Sequence, residues 1–156
     1  MWTFTPKTLR IALYEPQIPQ NTGNIARTCV ATATALHLIG KPGFSLEDRY
    51  LKRAGLDYWE HLEMKMHENW KEFTESEKPD RVILFTSHDA QSLFEVKFRK
   101  GDILLFGNET SGVPEKIHND PSVLRVTIPQ SEQVRCLNLS NSAAIGIYEA
   151  IRQIYS

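Results

Sequence analysis

DILLFGNETSGVP, residues 102–114, joins two unlike halves. The first five residues are a near-continuous apolar run. Such a run is expected of a strand covered on both faces of a parallel sheet. The second half breaks the run at once, with Gly107 and Gly112 bracketing Asn108, Glu109, Thr110 and Ser111. In open parallel sheets ligands sit beyond the carboxyl ends of the strands. A dense polar turn in that position is therefore a site candidate. The Gly107-x4-Gly112 spacing mimics the start of a phosphate-binding loop. Val113 and Pro114 stand where that loop needs Lys and then Ser or Thr, so a nucleoside-triphosphate loop is rejected.

Working outward, the same alternation recurs. Residues 9–14 (LRIALY), 36–39 (LHLI), 81–86 (RVILFT) and 123–128 read as further strands. Between them lie helical patterns. Residues 23–35 place Ile25, Ala26, Cys29, Val30 and Ala33 on one face, and residues 46–54 form a short helix stopped near Gly55. A helix around residues 67–76 turns Trp70 and Phe73 inward. The last helix, residues 139–154, carries a stripe of Ala144, Tyr148, Ile151 and Tyr155, with Ile147 and Ile154 beside it. Strands alternating with helices imply an α/β domain with a mostly parallel sheet flanked by helices.

The 156 residues fit one domain, residues 1–156, with no appended RNA-binding domain expected. With 41% hydrophobic and 24% charged residues, the chain can fill a core and is not expected to be disordered. No apolar run approaches the roughly 18 residues of a membrane span, and residues 1–16 lack the apolar region of a secretory signal. Cys29 and Cys136 then imply reduced thiols of a cytoplasmic protein. The net charge is −1, which argues against a nucleic-acid partner until its distribution is read. Residues 60–80 hold seven acids and three bases, and the remainder carries 15 bases against 12 acids, a net of +3. Arg27, Arg49, Lys52, Arg53 and Arg135 are among those bases and are the candidate contacts for any phosphate-bearing partner. So small an excess predicts salt-sensitive binding through few phosphates.

Two other segments interrupt the apolar pattern after a strand. PQIPQNTGNIAR, residues 16–27, has helix-capping types at Asn21, Thr22 and Asn24, and Gly23 allows close backbone approach. Arg27 follows one to two turns into the helix. IPQSEQVRCLNLSNSAA, residues 128–144, ends a strand at Pro129, carries Arg135 in a loop and caps the last helix with Asn138 or Ser140. Taken singly, each is an ordinary capped helix start. The five histidines are scattered without metal-ligand spacing, so no metal site is expected. No GxGxxG or GxSxG element is present.

Together and in this order, NTGNIAR, LLFGNETSGVP and IPQSEQVRCLNLSNSAA resemble the three motifs of the SPOUT superfamily of RNA methyltransferases. With the linking LYEPQIP and RAGLDYWE, the chain resembles its minimal branch, the TrmL-type tRNA (cytidine/uridine-2′-O-)-methyltransferases of the anticodon wobble nucleotide. The resemblance implies a C-terminal trefoil knot, a homodimer and a tRNA substrate. It implies S-adenosylmethionine as methyl donor, held by the backbone of Phe85, Gly107, Ile128 and Cys136. It assigns Arg27 to the ribose 2′-hydroxyl and adjacent phosphate. Arg stays protonated, so it acts by binding phosphate and stabilising the alkoxide, while the phosphate or Asn138 accepts or relays the proton. Glu109 orients Arg27 or the second-motif loop, and Asn21 fixes the first-motif loop against the partner subunit's site. Relatives often have Ser where Cys136 stands, which leaves the backbone contact as this position's role. Competing functions are a non-catalytic RNA-binding protein of the same fold and a knotted methyltransferase acting on another site.

Overall fold

The computed structural model describes residues 2–49, 51, 53 and 58–155. Seven strands form one sheet in the order β3-β2-β1-β6-β4-β7-β5, and every pair is parallel. They are β1 (Arg10–Tyr14), β2 (Ala35–Ile39), β3 (Met64–His67), β4 (Val82–Phe85), β5 (Gln91–Ser92), β6 (Ile103–Phe106) and β7 (Val123–Thr127). The helices are α1 (Pro19–Ala31), α2 (Trp70–Glu77), α3 (Glu115–His118) and α4 (Leu139–Ile154). β1 leads outward to β2 on one side and borders β6 on the other. The strand order thus reverses there, which is the position where open parallel sheets take their ligands.

Alternation along the strands divides the interior into two cores. Ile11, Leu13, Leu36, Leu38, Leu104 and Phe106 face α1 and α4, which touch each other. Ala12, Ile39, Leu84, Ile103 and Leu105 face the other way, with Phe73 of α2 and Ile117 of α3. The apolar run of residues 102–106 is therefore covered on both faces, as expected. Asp102 itself stands before β6, nearly fully buried, and its carboxylate takes a two-pronged bond from Arg81 at 2.6 and 2.9 Å. Among the described residues no helix is long and apolar enough to cross a membrane. Both cysteines are free thiols, Cys29 buried and Cys136 exposed.

Several expected boundaries differ, each for a local reason. α1 starts at Pro19, four residues before the expected Gly23, because proline fits the first helical turn. Asn21, Thr22 and Asn24 therefore lie inside the helix and do not cap it. His67 ends β3 and is not the start of a helix, since Asn69 caps α2 by accepting from the Glu72 amide at 2.9 Å. On α4 the buried stripe is Ala143, Gly146, Ile147, Ala150 and Ile151, while Tyr148 is 50% exposed. Gly146 serves the interior, because a Cβ there would lie 2.8 Å from the Phe85 ring. Of the helix expected over residues 46–54, Arg49, Leu51 and Arg53 are helical, Leu46 and Glu47 form a turn, and Tyr50, Lys52 and Ala54 lie outside the described residues. So do residues 54–57 of RAGLDYWE.

The histidines are not all scattered. His37 on β2 and His67 on β3 are hydrogen-bonded, Nδ1 to Nε2, at 2.8 Å beneath Phe73. His67 Nδ1 reaches the Glu72 carboxylate at 2.8 Å. His37 Nε2 lies 3.9 Å from Glu77, whose carboxylate also meets Arg10 at 3.1 Å and Lys65 at 2.7 Å. One ligand atom each from His37, His67 and Glu77 falls within 4.8 Å of the others. Burial pushes His37 down to about 4, partly opposed by Glu77 and reinforced by His67, Arg10 and Lys65. An unfolded imidazole takes its proton near pH 6.5, so between these values the unfolded chain binds more protons. Stability is therefore expected to fall as pH drops from 6.5 toward 4. Thermal melts across that window should record the decline, and His37→Gln should flatten it.

Candidate active site

The loop after β6 approaches the start of α1, and one carboxylate joins them. Glu109 Oε1 accepts from the Gln17 amide at 2.9 Å, and Oε2 accepts from the Ile18 amide at 3.0 Å. Oε2 also accepts from Asn21 Nδ2 at 3.0 Å. Ile18 is the residue preceding α1 and offers no side-chain cap, so the acid from ninety-odd residues away supplies the negative charge that a helix N-terminus favours. The carboxylate also orients the Asn21 amide, because only its NH2 side can donate to an acid. Asn21 Oδ1 is then left to accept from Asn138 Nδ2 at 3.1 Å. Asn138 Oδ1 in turn accepts from the Ser140 and Asn141 amides at 2.9 and 3.3 Å and from the Ser140 hydroxyl at 2.6 Å. Asn138, rather than Ser140, is thus the cap of α4. An unbroken chain of bonds runs from the β6 loop through α1 to α4 and links the three sequence motifs.

The β6 loop is shaped to make this contact. Asn108 and Gly112 bond each other's backbone at 3.1 Å in both directions, which folds the loop back on itself. Asn108 Oδ1 holds the Thr110 and Ser111 amides at 3.0 and 2.7 Å. A Cβ at Gly107 would stand 2.5 Å from Gly112 Cα, so the doubled-back turn requires glycine there.

Phe85, Gly107 and Ile128 stand at the ends of three neighbouring strands. Phe85 pairs with Phe106 on one side and Val126 on the other, so Gly107 and Ile128 continue the adjacent strands. Phe85 and Ile128 are half-buried, and Cys136 lies in the exposed loop before α4. Arg27 is placed differently. It is exposed on α1, six residues past buried Asn21 and about 240° around the helix from it. Among the described residues it has no hydrogen bond or ion pair, and its guanidinium carbon lies 5.0 Å from the Tyr58 ring centroid. The structure therefore gathers Asn21, Glu109 and Asn138 and leaves Arg27 apart from them. Glu109 orients the junction of loops and has no bond to Arg27. Thr22, fully buried in the same turn of α1, has a hydroxyl without a partner among the described residues.

A parallel sheet with its polar loops gathered at the switch point defines an α/β enzyme of the ligand-at-strand-ends type. The profile of the SpoU rRNA methylase family matches residues 8–148, and the chain belongs to that family. It is 47% identical over 144 residues to a tRNA (cytidine(34)-2′-O)-methyltransferase of Methylovorus glucosotrophus, covering 92% of this chain and 94% of that one. It is 42% identical over 147 residues to the protein of the same name from Escherichia coli K12, covering 94% of each. A solved structure from work on the 2-OH methylation of C/U34 on tRNA superimposes with TM-score 0.90 at 43% identity, covering 96% of this chain and 97% of that one. The SpoU methyltransferase AviRb from Streptomyces viridochromogenes, in complex with the cofactor AdoMet, superimposes with TM-score 0.84 at 25% identity over 96% of this chain and 61% of its own.

Replacing Glu109 with Ala leaves two backbone amides and the Asn21 amide without their acceptor. Denaturant titration should report a loss of about 1–3 kcal/mol. Asn21→Ala removes the bridge to α4 and should cost about 1 kcal/mol on the same assay.

Proposed function

We propose that this protein methylates the ribose 2′-hydroxyl of the wobble nucleotide, cytidine or uridine, in tRNA anticodons, with S-adenosylmethionine as donor. The observation that carries this reading is the bonded junction of three motifs at the switch point. It occurs in a chain aligned over 92–94% of its length with relatives named for that reaction.

The residues at the strand ends suit the donor. Phe85 and Ile128 offer apolar surface, and backbone groups past the last strand pairings suit the neutral edges of an adenosine. Gly107 keeps that approach free of a side chain, and the backbone of Cys136, in the exposed loop before α4, is the fourth donor contact of this reading. When bound, S-adenosylmethionine supplies an electrophilic methyl group. The protein's own work is placement. Holding the 2′-oxygen in line removes most of the entropic barrier, and fixed positive charge stabilises the alkoxide as its proton leaves.

Arg27 is the residue for that charge, with no N–H engaged by another of the described residues and the fork able to meet a phosphate and the adjacent ribose. It remains protonated and takes no proton. Asn138 has its amide oxygen fully engaged in capping α4, which suits a positioning role and leaves the substrate phosphate as the proton acceptor. Asn21 and Glu109 hold the loops in register. The same reading includes a cytoplasmic homodimer and the C-terminal trefoil knot. Ile145 (39% exposed) and Tyr148 on the outer side of α4 support a second copy, and an outward Arg27 suits a site completed across that seam.

The test is direct. Purified protein, labelled donor and tRNA lacking wobble methylation should yield label that nuclease digestion and mass mapping place on the wobble ribose. Label on a base or at another nucleotide would sink the reading. Arg27→Ala should lower transfer by about 10²- to 10³-fold while S-adenosylhomocysteine binding, followed by calorimetry, stays intact.

A further inference from the structure

Arg27 is exposed, yet its guanidinium is not without support. The guanidinium carbon sits 5.0 Å from the centroid of the Tyr58 ring. Tyr58 is 37% exposed, and the next residue, Trp59, packs against the core. The ring is therefore tethered on one side and open on the other. A guanidinium has two distinct recognition surfaces. Its face meets an aromatic ring by cation–π attraction, and its five N–H donors all lie in the plane. Contact through the face uses none of those donors. An acidic partner would have held the group equally well, but it would have occupied the same donors a phosphate needs. It would also have cancelled the charge that attracts one.

We infer that Tyr58 is a positioning residue for the reaction. It fixes the orientation of Arg27 through the guanidinium face, so that the in-plane N–H fork remains presented to the phosphate and ribose of the RNA. This rests on the role of Arg27 in the function proposed above. The ring is what matters and not the hydroxyl, since no hydrogen bond is made by the Tyr58 oxygen among the described residues. The acidic segment of residues 60–80 begins two positions later, so an aromatic at residue 58 supports the arginine without extending that negative surface toward the RNA.

The experiment compares Tyr58→Leu, Tyr58→Phe, Arg27→Ala and the Tyr58→Leu/Arg27→Ala double variant. It measures tRNA affinity at several salt concentrations, kcat and KM for tRNA, and S-adenosylhomocysteine affinity. Tyr58→Leu should lower kcat/KM for tRNA by about three- to tenfold. Tyr58→Phe should restore it, and S-adenosylhomocysteine affinity and the melting temperature should stay as in the wild type. In the Arg27→Ala background, the Leu substitution should change tRNA affinity by less than about twofold, because the two residues act as one unit. Should Tyr58→Leu fold poorly, Tyr58→Met supplies a flexible apolar side chain without the ring and is read in the same way. Wild-type kcat/KM in Tyr58→Leu, a Phe variant as impaired as Leu, or fully additive effects of the two substitutions would each overturn the inference. If Arg27→Ala itself leaves transfer unchanged, the proposed role of Arg27 fails and this inference fails with it. If Arg27→Ala is inactive and Tyr58→Leu is not impaired, only the role of Tyr58 is lost.

Discussion

The Glu109 carboxylate is the contact on which the arrangement of the site depends. Two backbone amides and one side-chain amide converge on it. A charged acceptor makes shorter and stronger bonds than an amide oxygen, and it also matches the positive end of α1. The consequence spreads by logic of donors and acceptors. Because the acid can only accept, Asn21 must turn its NH2 toward it, and its oxygen then faces Asn138. Asn138 must in turn donate to Asn21, which leaves its oxygen for the amides at the start of α4. One ionised group thus sets the orientation of two amides and the entry of two helices.

This geometry separates rigidity from recognition. The junction of Glu109, Asn21 and Asn138 is engaged with itself and has little left to offer a substrate. It is a brace at the place where the sheet order reverses. The strand ends of β6, β4 and β7 next to it present backbone groups and two apolar side chains. Arg27 lies on another side of α1 and keeps its donors open. A site built this way can hold its loops still without spending the Arg27 cation on an acidic partner among the described residues.

Much of the fold was legible because its strands are buried on both faces. The runs at residues 102–106 and 81–86 are apolar without alternation, and the repeat of strand and helix follows. What stayed hidden has definite causes. β3 is an edge strand reading MKMH, with Lys65 and Met66 exposed, so its pattern lacks the apolar continuity of the inner strands. β5 is two residues long and has no periodicity to detect. The start of α1 escapes local capping rules because its negative charge comes from Glu109, an acid far away in the sequence. The apolar pattern of α4 points to Tyr148, whereas small residues, Ala143, Gly146 and Ala150, line the buried side and carry little hydrophobic signal. The motifs themselves stood out as polar breaks after apolar strands, and the bonds between them could not be read from spacing. The His37–His67 pair escaped for the same reason, its members being neighbours only through sheet register.

The hydrogen bonds of the junction span 88 to 117 residues of chain. A polypeptide made from its N-terminus has α1 long before it has Glu109, and Glu109 well before Asn138. During synthesis the entry to α1 stays without its acid, and Asn21 has nothing to set its orientation. The functional corner of the molecule is therefore among the last parts to be completed, after the strands that frame it. A chain ending just before residue 138 would hold every strand of the sheet and the Glu109 contacts, and would lack the bond from Asn138 to Asn21. Such contacts between distant residues also make for slow folding. The contacts that order this corner in the folded protein are thus also the ones that depend on the latest-made part of the chain.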